Sequence, residues 1–246
     1  MRVSNSSIQC FKSCRRMYEL KYIYGLEPVE QSPAVERGTS YHEAVEKVLT
    51  GQQPDCDNPK IAAMVEVFSG WNRPEIEAVE KWIEYPTASG HTVVGRIDAK
   101  AKNGAVIEHK TTSGLITGAY FQKLEIDEQI PTYMIAENTN RVIYTVCATP
   151  TIRQKKNESN DEFKARCLDW FDSAEKFAVT EIFKTDEQLK QFAVEQDAII
   201  NEMENCKLFY RNPNHCTKWG RLCEYAPVCM QYDPAKEYIQ FTRRDR

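Results

Sequence analysis

The stretch GRIDAKAKNGAVIEHK (Gly95–Lys110) decides how this chain is read. Two alternating runs flank Asn103-Gly104, a dipeptide suited to tight β-turns, so the segment reads as a β-hairpin. Its first strand carries Asp98, and its second carries Glu108 and Lys110. Side chains alternate along a strand, so Glu108 and Lys110 share a face. Whether Asp98 joins them depends on the turn. A two-residue turn pairs Lys102 with Ala105 and sets Asp98 opposite His109, on the wrong face. A three-residue loop, Lys102-Asn103-Gly104, pairs Ala101 with Ala105 and sets Asp98 across from Glu108. Such loops commonly end in a left-handed residue, and Gly104 stands at that position, so this register is expected, with Gly104 at positive φ. The same register brings Arg96 opposite Lys110, a like-charge pair that a bulge or bend near Asp98 would relieve.

Two adjacent carboxylates repel unless something positive sits between them. The lysine or a metal ion would serve, and oxygen ligands favour a hard cation, Mg²⁺ or Mn²⁺. A surface hairpin with a cross-strand salt bridge is the competing reading of the hairpin alone.

The chain of 246 residues is long enough to bury a substantial core as one domain. Hydrophobic residues at 41% and charged residues at 28% describe an ordinary globular chain rather than a disordered one. No apolar run is long enough to span a bilayer, and the first twenty residues lack a signal-peptide apolar block, so a cytoplasmic protein without membrane contact is expected. The net charge of −4 gives no global case for nucleic acid, so any such binding must rest on local patches. Periodicity and caps place helices from about Ser4 to Ile23, Val35 to Leu49, Pro59 to Trp71 and Glu125 to Glu137. Long polar helices follow over Asp161–Lys184 and Asp186–Asn205. Strands are expected at Val79–Glu84, in the hairpin and at Arg141–Thr149. The order implies an α/β fold, a central mixed sheet flanked by helices.

Further polar residues fall on these elements. His42 lies on the second helix, and Gln129 and Tyr133, four apart on a helix, share a face. Taken together, G-x-x-x-H (Gly38–His42), G-R-I-D (Gly95–Asp98), E-x-K (Glu108–Lys110) and Q-x-x-x-Y (Gln129–Tyr133) resemble the RecB-type branch of the PD-(D/E)xK nucleases in order and rough spacing. SSIQCFKSCRRMYELKYIYGL and HCTKWGRLCEYAPVC resemble the family's N-terminal cysteine helix and C-terminal cysteine trio, so the likeness covers nearly the whole chain. It implies a restriction-endonuclease-like core and metal-assisted phosphodiester hydrolysis, leaving a 5′-phosphate and a 3′-hydroxyl. His42, Asp98, Glu108 and the backbone carbonyl of His109 would be metal ligands. Lys110 would orient and help deprotonate the attacking water, and Gln129 and Tyr133 would line the site. Two departures stand out. His109 replaces a usually apolar residue and, facing away from the metal, needs a polar partner. Arg15 follows Cys14 where many relatives have proline.

Nine cysteines is an odd, high count for a reducing compartment, which argues against a disulfide framework. Cys216, Cys223 and Cys229 form C-x6-C-x5-C, wider than the C-x2-C of most zinc sites. Zinc, an iron–sulfur cluster and unrelated buried thiols are the alternatives. The resemblance implies a 4Fe–4S cluster held by Cys14 and this trio, closing a loop of about two hundred residues and joining the chain ends. On that reading residues 1–246 form one nuclease domain. Segments 1–25 and 206–232 make the iron–sulfur subregion, and 75–150 is the catalytic core. Lys12, Arg15, Arg16, Lys21, Lys218 and Arg221, with Phe11, Trp219 and Tyr225, would make a basic, partly aromatic surface for single-stranded DNA.

The expectation is a stand-alone exonuclease acting on single strands or free DNA ends, in a prokaryotic cell or phage-infected host. It resembles both phage exonucleases of recombination or replication and nucleases that trim DNA for CRISPR spacer acquisition. Recombination or CRISPR-adaptation proteins are the partners this implies. The rival readings are a non-catalytic DNA-binding or assembly module with the same fold, and a zinc-stabilised structural protein.

Overall fold

The computed structural model describes residues 1–30, 32–172, 175–231 and 241–243. In chain order the elements are β1 (Arg2–Ser4), α1 (Asn5–Ser13), α2 (Arg15–Tyr18), β2 (Leu26–Pro28), α3 (Pro33–Leu49), α4 (Pro59–Ser69), β3 (Ile76–Pro86), β4 (Thr92–Ala101), β5 (Val106–Thr112), α5 (Gly118–Gln122), α6 (Gln129–Ala136), β6 (Arg141–Ala148), α7 (Asn160–Phe171), β7 (Phe177–Phe183), α8 (Asp186–Asn205), α9 (Pro213–Cys216), α10 (Ala226–Gln231) and β8 (Phe241–Arg243). The chain divides into two compact units. The hairpin unit holds residues 33–84 and 95–192, and the terminal unit holds 1–32, 85–94 and 193–246. Strands β3 and β4 and helix α8 contribute residues to both.

In the hairpin unit the strand order is β3-β4-β5-β6-β7. β5 runs antiparallel to β4 and parallel to β6, and β7 runs antiparallel to β6, so the sheet is mixed. Along β6 alternate residues serve opposite faces. Val142, Tyr144 and Val146 pack with Ile97, Val106, Ile130, Tyr133 and Met134. Cys147, on the other face, packs with Tyr41 of α3 and with Ile61, Met64, Val65 and Phe68 of α4. Helices α3 and α6 therefore lie on opposite faces of the sheet. Each fully buried Ile, Val, Phe or Met contributes about 1.5–3 kcal/mol, so this double-sided core holds the hairpin from both sides. The caps are those the sequence supplies. Asn58 Oδ1 accepts from the Lys60 amide with Pro59 leading α4, and Ser159 and Glu162 form a reciprocal capping box on α7.

The expected helix over Asp161–Lys184 is corrected. α7 ends at Phe171, and Phe177–Phe183 is the edge strand β7, with Ala178 and Ile182 turned to the core; Ser173 and Ala174 lie outside the described residues. The β-branched residues Val179, Thr180 and Ile182 favour a pleated strand over a helix.

In the terminal unit β1 pairs in parallel with the first residues of β4, and β2 pairs antiparallel with β8. Val3, Ile8, Phe11, Tyr18, Val93, Ile200 and Met203 form one core, and Leu20, Leu26, Tyr225 and Val228 a smaller one. The expected helix from Ser4 to Ile23 is broken: Cys14 adopts an extended conformation (φ −160°, ψ 110°) between α1 and α2, and a π-helical turn follows at Glu19–Ile23. Segments from the two chain ends meet here. Asn212 donates to the Ser13 carbonyl at 2.8 Å, the Arg16 amide to the Tyr210 carbonyl at 3.1 Å, and the Tyr225 hydroxyl to the Leu26 carbonyl at 2.9 Å.

Candidate active site

The hairpin turns through a three-residue loop. The Ala101 amide donates to the Ala105 carbonyl and the Gly104 amide to the Ala101 carbonyl, both at 2.9 Å, with Gly104 at φ 84°. Ala99 pairs with Ile107 and Lys100 with Val106, a register that sets Asp98 across from Glu108. Beyond Ala99 the backbone ladder stops. The His109 amide donates instead to Asp98 Oδ2 at 2.7 Å, so a carboxylate occupies the place of a strand carbonyl. An amide and carbonyl of one residue point to the same side of a strand, so the His109 carbonyl also faces this opening. Arg96 is spared Lys110: its guanidinium turns to Glu80, Nε to Oε2 at 2.6 Å.

Each face of the sheet sends side chains to the opening. From α3, His42 Nδ1 lies 3.4 Å from Asp98 Oδ1. From the opposite face, Asp127 caps α6 by accepting from the amides of Gln129 and Ile130, which fixes Gln129 over the sheet. Pro131 sits in the first turn, where its missing N–H costs nothing. Gln129 Oε1 accepts from Lys110 Nζ at 2.9 Å, while its Nε2 donates to the Tyr133 hydroxyl. That hydroxyl donates in turn to the Arg96 carbonyl at 2.9 Å, tying α6 to the splayed end of β4. Lys110 also forms an ion pair with Glu108.

Glu108 is 1% exposed, and its close partner is the Lys110 ammonium at Oε1. Burial pushes its carboxyl up to about 8 despite the nearby Lys110 charge. Asp98 goes the other way. Burial works to raise it, but the His42 hydrogen bond and charge, with His109 and Lys110, hold it down at about 2. His42 is raised: burial disfavours its charge and the Asp98 contact outweighs that. Lys110 is raised in the same way by Glu108 against its own burial. His109 points to the α4 face, where Nδ1 meets Thr145 Oγ1 at 2.7 Å and the ring meets Phe68 edge-on at 5.0 Å. Burial lowers it to about 4, so it is neutral.

Glu80 was not singled out in the sequence. One of its carboxylate oxygens lies with a His42 ring nitrogen and an Asp98 oxygen, all inside 4.8 Å of one another. It stands in β3 with φ 49°, a left-handed conformation rare for a residue with a side chain. The cause is a register mismatch. Backbone bonds join Thr87 to His91 and Glu75 to Lys102, so twelve steps on β3 face eleven on β4. The extra residue forms a bulge, which re-aims a side chain out of regular alternation. Burial raises the Glu80 carboxyl, with Arg96 opposing.

In the terminal unit, Cys14 is buried at the helix break, Cys216 ends α9, Cys229 lies on α10, and the Cys223 amide donates to the Cys216 carbonyl at 2.7 Å. Burial raises the Cys223 thiol, with Cys14 and Cys216 close enough to add to the shift. Cys10, one turn before Cys14, is pushed up to about 12 by burial. All four expected ligands are free thiols. Among the described residues no group of three thiols meets the 4.8 Å spacing that His42, Glu80 and Asp98 meet. The expected basic surface is partly engaged. Arg15 lies between the rings of Phe11 and Tyr210, at 5.0 and 4.8 Å, and pairs with Glu202. Arg16 pairs with Glu19, and Lys21 lies 5.8 Å from the Tyr22 ring. Lys12, Lys218 and Arg221 are exposed. The side chain of Trp219 lies outside what the structure describes.

Residues 2–83 match the family model of the PD-(D/E)XK nuclease superfamily. Two solved structures share the fold over nearly the whole chain. SSO0001 is 16% identical, with a TM-score of 0.50, over 93% of this chain and 85% of its own. A candidate exonuclease from Eubacterium rectale is 12% identical, with a TM-score of 0.55, over 96% of this chain and 90% of its own. No curated protein matches the sequence. The mixed α/β sheet flanked by helices is thus a fold the chain shares with both structures. Among the described residues no helix is long and apolar enough to cross a membrane.

Proposed function

We propose that this chain is a divalent-metal-dependent DNA nuclease, acting as an exonuclease on single strands or free ends. The observation that carries the reading is the grouping at the mouth of a split β-ladder: the fully buried Glu108, paired through one oxygen with Lys110, beside the ionised Asp98 and its partner His42. Two buried carboxyl groups side by side with one lysine between them leave negative charge to be compensated, and a hard cation supplies that compensation. The residues present fit Mg²⁺ or Mn²⁺: His42, Asp98, Glu108 and the His109 carbonyl would hold it, with Glu80 as a further oxygen donor. When bound, the cation supplies Lewis-acid polarisation of the phosphate and favours hydroxide over water at neutral pH. Lys110, steered by Gln129, is placed to orient the attacking water and offset charge on the phosphate. Tyr133 fixes the Arg96 carbonyl and so keeps the ladder open. The family match and the likeness to the E. rectale protein support a nucleic-acid substrate.

The second part of the proposal assigns Cys14, Cys216, Cys223 and Cys229 to a 4Fe–4S cluster. Its support is that both chain ends bring free thiols into one unit. Purification without oxygen tests it: a brown protein with iron supports it, and a colourless one with zinc overturns it. The nuclease reading is tested with DNAs labelled at the 5′ or 3′ end, single and double stranded, with Mn²⁺ or with EDTA. Cation-dependent release of end nucleotides supports it; undiminished cleavage in EDTA would falsify it.

A further inference from the structure

Trp82 is a large aromatic in β3 that the site above does not use. It is 71% exposed, the most open aromatic among the exposed large apolar residues of the hairpin unit. Its ring is approached by the Arg96 guanidinium at 5.9 Å from the centroid. Arg96 is itself more than half exposed and is joined to Glu80, which groups with His42 and Asp98. Its carbonyl is anchored by Tyr133, and it lies two residues from Asp98 on β4. An indole, a guanidinium and the candidate metal ligands are thus connected side by side on one surface of one unit.

We propose that Trp82 and Arg96 form a nucleobase subsite, in which the indole stacks on an unpaired base of the DNA strand while the guanidinium contacts the adjoining phosphate. The proposal rests on the nuclease reading and adds the strand preference of that same site. Trp82 is two residues from Glu80, about 7 Å along a strand, the reach of one or two nucleotide steps. A base inside a duplex offers only its edges to a protein, because both faces are stacked. An unpaired base offers a π-face, and stacking on an aromatic side chain tolerates any base identity. Arg96 adds a positive charge beside the ring, and Arg suits both phosphate contact and planar stacking. The subsite therefore discriminates against paired strands without reading sequence. A duplex would have to fray by one or two bases to use it.

Binding of a fluorescent ten-residue oligothymidylate, measured by anisotropy in EDTA so that nothing is cleaved, tests this on the full chain. Trp82→Ala should weaken binding about tenfold, Trp82→Phe should restore most of it, and a blunt hairpin duplex should bind all three proteins alike within twofold. Replacing the thymines by abasic sites should weaken wild-type binding about tenfold and leave Trp82→Ala unaffected. In turnover with Mn²⁺, Trp82→Ala should raise KM for single strands with kcat unchanged. The proposal is overturned by unchanged oligothymidylate affinity in Trp82→Ala. It is equally overturned by equal losses on single strand and duplex, or by a Trp82-dependent change of molecular mass marking a protein partner on this face. Should Trp82→Ala fail to fold, quenching of indole fluorescence by oligothymidylate in wild type but not in Trp82→Phe decides the same question. A chain that cleaves no DNA yet shows the Trp82 effects sinks the nuclease reading alone. A chain that cleaves DNA without them sinks the subsite alone.

Discussion

The hairpin unit and the terminal unit solve opposite problems. In the hairpin unit the scaffold is complete without any ligand: the sheet is packed on both faces, and the site itself carries a left-handed Glu80 and a buried Glu108 paired with Lys110. The thiols of the terminal unit sit instead on short pieces. α9 has four residues, α10 has six, and four side chains form the core beside them. Helices this short have little stability of their own. The contrast teaches that the two metal assignments should differ in kind: one ion would serve chemistry on a finished fold, and the other group would finish the fold.

Losing the chemistry should be the largest effect. Asp98→Ala, Glu108→Ala and Lys110→Ala should each lower Mn²⁺-dependent cleavage by about a thousandfold or more, while the protein still folds and melts cooperatively. Loss of folding in all three would erase the contrast between the units. Cys14→Ser and Cys223→Ser should do the reverse. Iron should fall away and stability drop by roughly 2–5 kcal/mol, the scale of losing a long-loop cross-link. Unchanged iron content and melting in both variants would show that the ligand assignment is wrong.

What could be read from the chain follows the same division. The hairpin register was legible because Gly104 and strand alternation are local signals, and His42, Gln129 and Tyr133 fall where local helix patterns put them. Glu80 was not legible, since its bulge exists only as a difference between two backbone pairings more than ten residues apart. β7 was hidden in a polar stretch resembling the helices around it, with Val179, Thr180 and Ile182 as the overlooked sign. The break at Cys14 has no local breaker: no Gly or Pro interrupts SSIQCFKSCRRMYEL. Strands β1, β2 and β8 have three residues each and are defined only by their partners.

Glu80 offers a sharper version of the comparison. A left-handed non-glycine residue costs about 1–3 kcal/mol, and its partly exposed ion pair with Arg96 returns at most about 1 kcal/mol. Glu80→Gly should therefore raise stability by about 1 kcal/mol while cutting cleavage about tenfold, and Glu80→Ala should lose activity without the gain in stability. If Glu80→Gly melted lower than wild type, the strain would not be stored at the site.

The smallest effect concerns pH. In EDTA, Glu108 has a folded-state value of about 8 against 4.5 for an ordinary glutamate. The folded protein therefore holds a proton that the unfolded chain releases, and the stability this gives is full below pH 4.5 and is lost as pH rises through 8. His42 adds to the same slope, because its raised value also favours the folded state on the acid side. Asp98, held at about 2, contributes a constant amount above pH 5 and loses it only in strong acid. The chelated protein should thus melt progressively lower between pH 6 and 8.5, and Glu108→Gln should flatten much of that slope. Mn²⁺ should act in the opposite sense, since ligation needs the carboxylate deprotonated: its stabilising shift should grow with pH over the same window. A Mn²⁺ shift that stayed constant across this range, or survived in Glu108→Gln, would take Glu108 out of the ligand set and leave His42, Glu80 and Asp98 as the cation's only side-chain donors.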